Sequence, residues 1–226
     1  MQKPKKQRST RVQNEIELEP PTTQFKFLTS KQEEYYNNIK QNIITFGIGC
    51  AGTGKSFVPI AYACEQLNKK KIKKVIFTRP AVECGEEYGF LPGELDEKIE
   101  PYYKPVKDCL YQILGNGHTD YFIKRGVIEF RPLAFMRGTT FNDAVIIVDE
   151  SQNITPTAME MLLLRIGHNC TVVINGDVKQ KDIDGYSGLP DAINKIRHIR
   201  KVAITEFTID DVVRSGICKE IIKAYS

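Results

Sequence analysis

The sequence predicts an α/β fold built on a mostly parallel sheet, and three observations predict it. The stretch Gly49-Cys50-Ala51-Gly52-Thr53-Gly54-Lys55-Ser56 fits the pattern G-x-x-x-x-G-K-[ST] and lies between an apolar run (Ile43, Ile44, Phe46, Ile48) and a segment with helical spacing, 57–67. Its glycines therefore fall at a strand-to-helix turn. The run 144–148 (Ala-Val-Ile-Ile-Val) is too continuous to have a wet face and ends in Asp149-Glu150, as expected of a central strand. Further runs at 75–78, 127–130 and 171–174 each open into polar residues at their C-terminal ends, the edge where ligands sit in open parallel sheets.

In chain order, residues 1–24 are polar, poor in aromatics and contain Pro4, Pro20 and Pro21, so they read as a disordered basic arm. Within it, residues 1–11 carry five basic groups, Lys3, Lys5, Lys6, Arg8 and Arg11, and no acid, enough to account for the net charge of +4. Such an arm either holds a nucleic-acid backbone or is simply solvated. Residues 25–226 read as a single domain. Thr29 or Ser30 caps a helix running toward Lys40. Gln32 on that helix has the donor and acceptor to pair with an adenine edge, or is an exposed helix glutamine.

The phosphate loop follows. Backbone N–H groups and the positive end of the next helix suit it to a polyanion, with Lys55 directed to the β- and γ-phosphates of a nucleoside triphosphate and the Ser56 hydroxyl to its magnesium ion. Gly49, Cys50, Ala51, Gly52, Thr53, Gly54, Lys55, Ser56 and Phe57 are thus the expected nucleotide contacts. The lysine run 69–74 reads as a solvated helix end. The strand at 75–78 delivers Arg79-Pro80 to the ligand edge.

The segment 81–117 is long for a connection and rich in Gly and Pro, with a helical stretch at 106–114, so it is expected to form an inserted lobe. Tyr88, Phe90, Tyr102, Tyr103 and Tyr111 are read as packing residues in preference to base-stacking ones. The strand at 127–130 leads to Arg131 and Arg137. After the strand at 144–148, Asp149 is placed to hold magnesium and Glu150 to orient and deprotonate the attacking water. The strand at 171–174 brings Gln180 within reach of a γ-phosphate. A last strand at 202–204 precedes a helix expected over 209–224, which carries Arg214.

Composition sets the outer bounds. The 226 residues suit one sizeable domain. No run reaches the ~18 apolar residues of a membrane span, and no apolar leader opens the chain, so a cytoplasmic protein without membrane partners is expected. The six cysteines, at 50, 64, 84, 109, 170 and 218, are scattered without a C-x-x-C pair and read as reduced thiols.

From about Phe25 to Tyr225 the chain resembles the PhoH-like family of P-loop ATPases, whose core is similar to the first motor domain of superfamily-one helicases. The resemblance is carried by the phosphate loop, Thr78-Arg79-Pro80-Ala81-Val82-Glu83, Gly89-Phe90-Leu91-Pro92-Gly93, Met136-Arg137-Gly138, Asn142-Asp143-Ala144 and Asp149-Glu150-Ser151-Gln152-Asn153. Arg165-Ile166-Gly167, Gly176-Asp177 with Gln180, and Asp211-Val212-Val213-Arg214 complete it. Departures are Cys50 for a usual proline, Ser56 for threonine, Ser151 for alanine, Thr139 for arginine, Leu164 for threonine and Ser215 for histidine. The resemblance implies a three-layer P-loop NTPase with a RecA-like sheet, ATP and Mg as cofactors, ring-shaped homo-oligomers, and a role on single-stranded nucleic acid, RNA in preference. It also implies an ATP site completed by a neighbouring subunit, with Arg214 as candidate and Arg165 as rival. A small-molecule kinase and a nucleotide-gated binding protein with little turnover are the alternatives.

Overall fold

A computed structural model describes residues 25–80 and 95–224. The arm 1–24, with its basic residues, and the stretch 81–94, with Tyr88 and Phe90, lie outside the described residues.

The chain runs α1 (Ser30–Gln41), β1 (Ile44–Gly49), α2 (Phe57–Asn68), β2 (Lys74–Thr78), α3 (Leu95–Leu114), α4 (Asn116–Lys124), β3 (Ile128–Phe130), β4 (Ala144–Val148), α5 (Pro156–Leu163), β5 (Cys170–Gly176), α6 (Gly188–Ile196), β6 (Val202–Phe207) and α7 (Gly216–Ala224). The six strands form one sheet in the order β3-β2-β4-β5-β1-β6. Every pairing is parallel, a stricter arrangement than the mostly parallel sheet expected. Thr29 caps α1, its side chain accepting from the Gln32 N–H.

Side-chain alternation along the strands makes three layers. Val145 and Ile147 of β4 with Val75 and Phe77 of β2 face one core, shared with α1, α2 and α3. Ala144, Ile146 and Val148 face the other, with Met159 and Leu162 of α5 and Leu189 and Ala192 of α6. All five residues of β4 are buried, as its unbroken apolar run requires. Fully burying one such side chain contributes about 1.5–3 kcal/mol.

The structure departs from expectation in three ways. The helix expected over 106–114 extends back to Leu95 across Pro101 and Pro105. Its stripe Tyr103, Val106, Leu110 and Leu114 recurs at helical spacing and is buried in the core beside α2, so this part of the expected inserted lobe belongs to the main body. Tertiary burial here outweighs the loss of two backbone donors. Tyr103 packs on Phe130, ring centroids 4.9 Å apart, as a packing aromatic does.

Second, α5 and α6 add two helices to the expected set. Each starts on a local signal: Thr155 caps α5 ahead of Pro156, and Ser187 caps α6.

Third, the helix expected over 209–224 is broken into a 3₁₀ turn at Ile209–Asp211, a link, and α7. The turn is closed by a capping box between Thr208 and Asp211. Val212 then leaves in extended conformation with its side chain buried. Arg214 therefore sits in the link, off the helix.

Candidate nucleotide-binding site

At the C-terminal edge of the sheet, β1 delivers the phosphate loop and β4 delivers Asp149 and Glu150, with β5 interposed between the two strands. Gly52 and Gly54 take φ of +81° and +87°, left-handed values that a side chain would strain. The loop ends in α2, whose first turn carries no acidic residue to oppose an anion. Lys55 Nζ is folded back onto the carbonyls of Gly49 and Cys50, 2.6 Å from the latter. Burial pushes its ammonium below the ordinary lysine value, against the pull of Asp177, Asp149, Cys50 and Glu150. A desolvated cation inside a ring of backbone dipoles is a strong attractor for phosphate. Burial also raises the Cys50 thiol, so this cysteine is not a poised nucleophile.

Ser56 Oγ lies 3.3 Å from both carboxylate oxygens of Asp149. Two hard oxygen donors, one opening α2 and one closing β4, converge as a magnesium ion requires. No cluster of three or more His, Cys, Asp or Glu exists among the described residues. A cation here would accordingly draw its remaining ligands from phosphate and water, as magnesium does. The residues fit a nucleoside triphosphate and its divalent metal.

Glu150 is exposed and adopts φ of +54°, a conformation that costs a non-glycine residue about 1 kcal/mol. Gln152, fully buried, was not among the expected site residues. Its Nε2 donates to Glu150 Oε2 at 2.8 Å and its Oε1 accepts from the Asp177 N–H at 3.1 Å. It thereby ties the carboxylate after β4 to the end of β5. An amide two residues beyond the acid, inside the quoted motif, was its only signal. Asn175 is a second addition. It accepts from the Tyr35 hydroxyl at 2.5 Å and donates to the Lys55 carbonyl at 2.9 Å, bracing the start of α2 from α1 through β5.

Gln32 is buried and engaged on both sides. Its Nε2 donates to the Thr53 carbonyl at 3.0 Å and its Oε1 accepts from the Leu28 N–H at 2.9 Å. It is not the exposed helix glutamine that spacing allowed. A Cβ at Gly54 would lie 2.5 Å from that Nε2, so the amide braces the loop from behind. Gln180 is exposed at the mouth of the site, beside Asp177, whose carbonyl accepts from the Gln180 N–H at 3.0 Å.

Arg79 is committed to the site itself, with Nη2 2.7 Å from Asp149 Oδ2. Arg214 lies over the loop of its own chain. The Val213 N–H donates to the Gly52 carbonyl at 2.9 Å, and a Cβ at Gly52 would be 2.9 Å from Arg214 Nε. Arg165, at the end of α5, accepts at its carbonyl from the N–H of Phe141, which precedes β4. It is at the opposite edge of the sheet from its own phosphate loop. Beside the site a groove of about 970 Å³ runs between Ala51, Asp177, Ile193, Phe207 and Ile221.

A parallel α/β sheet with this loop, this acidic pair and a strand between them defines a P-loop NTPase. The family profile described as PhoH-like protein matches residues 24–226, and the chain belongs to that family. It is 46% identical over 199 residues to a PhoH-like protein of Bacillus subtilis, covering 87% of this chain and 62% of that protein. It is 41% identical over 199 residues to Protein PhoH of Escherichia coli, covering 86% of this chain and 56% of that protein. The chain thus spans about three fifths of the length of these relatives. Among solved structures, the large terminase of a thermophilic bacteriophage aligns at a TM-score of 0.51 and 10% identity, covering 89% of this chain and 51% of that one, a likeness of fold. No helix among the described residues is long and apolar enough to cross a membrane.

Proposed function

We propose that this protein is a magnesium-dependent ATPase that works as a homo-oligomer and couples hydrolysis to remodelling or translocating single-stranded nucleic acid, RNA in preference. The observation that carries the reading is the convergence of Lys55, Ser56, Asp149 and Glu150 at one sheet edge, with Ser56 Oγ 3.3 Å from Asp149. Lys55 binds the β- and γ-phosphates; Ser56 and Asp149 hold the magnesium, which supplies charge neutralisation on the phosphates. Glu150, oriented by Gln152, takes the proton of the attacking water. That pairing favours water over a small-molecule acceptor. An oligomer is supported by α7, which buries none of its residues and leaves Ile217 and Ile221 66% and 52% exposed, an apolar face without a cover among the described residues. The basic arm supports contact with a nucleic-acid backbone. Phosphate release should rise strongly when single-stranded RNA is added to purified protein. A phosphorylated small molecule in place of free phosphate would instead identify a kinase.

Arg214 serves the loop of its own subunit in this reading. Mixing Arg214→Ala protein with Lys55→Ala protein, each inactive alone, should therefore restore no activity. Recovery of phosphate release in the mixed oligomer would show instead that the guanidinium reaches across a subunit boundary.

A further inference from the structure

We propose that Arg79 is a positioning residue that occupies the metal-facing carboxylate of Asp149 until a divalent cation arrives. Arrival of the cation with nucleotide then releases Arg79 and loosens the turn of α3 that it holds. The inference rests on the reading of Ser56 and Asp149 as the magnesium site.

Arg79 and Asp149 are the first residues beyond β2 and β4, neighbouring parallel strands in register at Thr78 and Val148. The Asp149 N–H donates to the Thr78 carbonyl at 3.0 Å. Sheet pairing alone therefore sets a guanidinium beside a carboxylate. Their side chains are 20% and 13% exposed, so water screens the 2.7 Å ion pair only partly. The guanidinium's other arm, Nη1, donates to the Tyr102 carbonyl of α3 at 2.6 Å. Its Nε is buried and finds no hydrogen-bond partner among the described residues. A planar fork suited to bidentate pairing is instead split between two monodentate partners, with a buried N–H unmade. Such a geometry suits a contact meant to be exchanged.

The exchange partner is set by the other side of the carboxylate. Ser56 Oγ is 3.3 Å from both Asp149 oxygens, so a cation held by Ser56 shares that carboxylate with Arg79. The cation carries twice the guanidinium's charge and brings phosphate ligands of its own, and at this distance the two positive groups repel. Arg79 then keeps only the Tyr102 carbonyl. That turn of α3 is thinly bonded, because Pro101 and Pro105 remove two of its backbone donors. It is the part of the helix best able to shift, and it leads back toward residues 81–94. Metal loading at the phosphate site is thereby transmitted to α3.

The test is Mn²⁺ binding to the complex of the full chain with ADP, read from the electron paramagnetic resonance signal of free Mn²⁺, which needs no turnover. Competition predicts that Arg79→Ala binds Mn²⁺ several-fold more tightly than the parent, and that Arg79→Lys stays near the parent because it keeps a cation. Asp149→Asn should bind more weakly. A merely structural arginine predicts unchanged Mn²⁺ binding in Arg79→Ala, and one that helps orient the carboxylate for the metal predicts weaker binding. Amide exchange in 102–109 should quicken in the parent on adding Mn²⁺ with ADP, and be already quick in Arg79→Ala without it. Circular dichroism checks folding; should the alanine variant unfold, Arg79→Gln, which retains a donor for the Tyr102 carbonyl, carries the same expected tightening. Unchanged or weaker Mn²⁺ binding in Arg79→Ala, or in Arg79→Gln where it stands in, with Asp149→Asn weakened, overturns the proposal and leaves the metal site standing. Parent-like binding in Asp149→Asn overturns the metal assignment, and the proposal with it.

Discussion

Lys55→Ala should abolish detectable ATP turnover and weaken nucleotide binding. Lys55 is the one cationic side chain within the loop, and its ammonium is held among the Gly49 and Cys50 carbonyls in a desolvated setting. Charged hydrogen bonds to phosphate are each worth about 1.5–3 kcal/mol, and in a low-dielectric site they lie at the strong end. Losing contacts to both the β- and γ-phosphates should cost on the order of 10²-fold in affinity, and more in the transition state, where charge shifts onto the oxygens. The fold should survive, since removing the ammonium also removes its desolvation cost. Titration with a fluorescent ATP analogue and a phosphate-release assay check both halves. Hydrolysis at the parent rate would mean that this loop is not the active site.

Glu150→Gln should separate binding from chemistry. The amide keeps the size of the carboxylate and can still accept from Gln152 Nε2, so the 2.8 Å geometry is retained while the base is lost. Hydrolysis should fall by about 10²–10⁴-fold, the usual contribution of a positioned base, with ATP remaining bound. Single-turnover hydrolysis beside equilibrium binding checks this. An undiminished rate would move the base elsewhere, and Gln152 and Gln180 cannot take the role, because amides do not usefully accept protons.

The local parts of this architecture were legible in the sequence because each is written in contiguous residues. The phosphate loop needs its glycines at set spacing between a strand and a helix. The β4 run needs apolar residues on both faces because both are covered, which is why 144–148 reads as central and is central. Asp149 and Glu150 follow from their place at the end of that strand. The same logic misled at 209–224, where apolar spacing suits a helix but the capping box and the buried Val212 stop it. At 95–105 two prolines argue against a helix that the buried stripe from Tyr103 to Leu114 nonetheless sustains.

The class of fold, the phosphate cradle and the acidic pair can thus be read from the residues alone, since period, spacing and turn chemistry act within a few residues. Which distant side chains meet there follows from the folded path of the chain. It set Gln32 behind Thr53, Gln152 between Glu150 and Asp177, Arg79 against Asp149, and Arg214 over Gly52. Those contacts depend on strand order and on how a guanidinium or amide satisfies its hydrogen bonds once buried, and no local pattern encodes either.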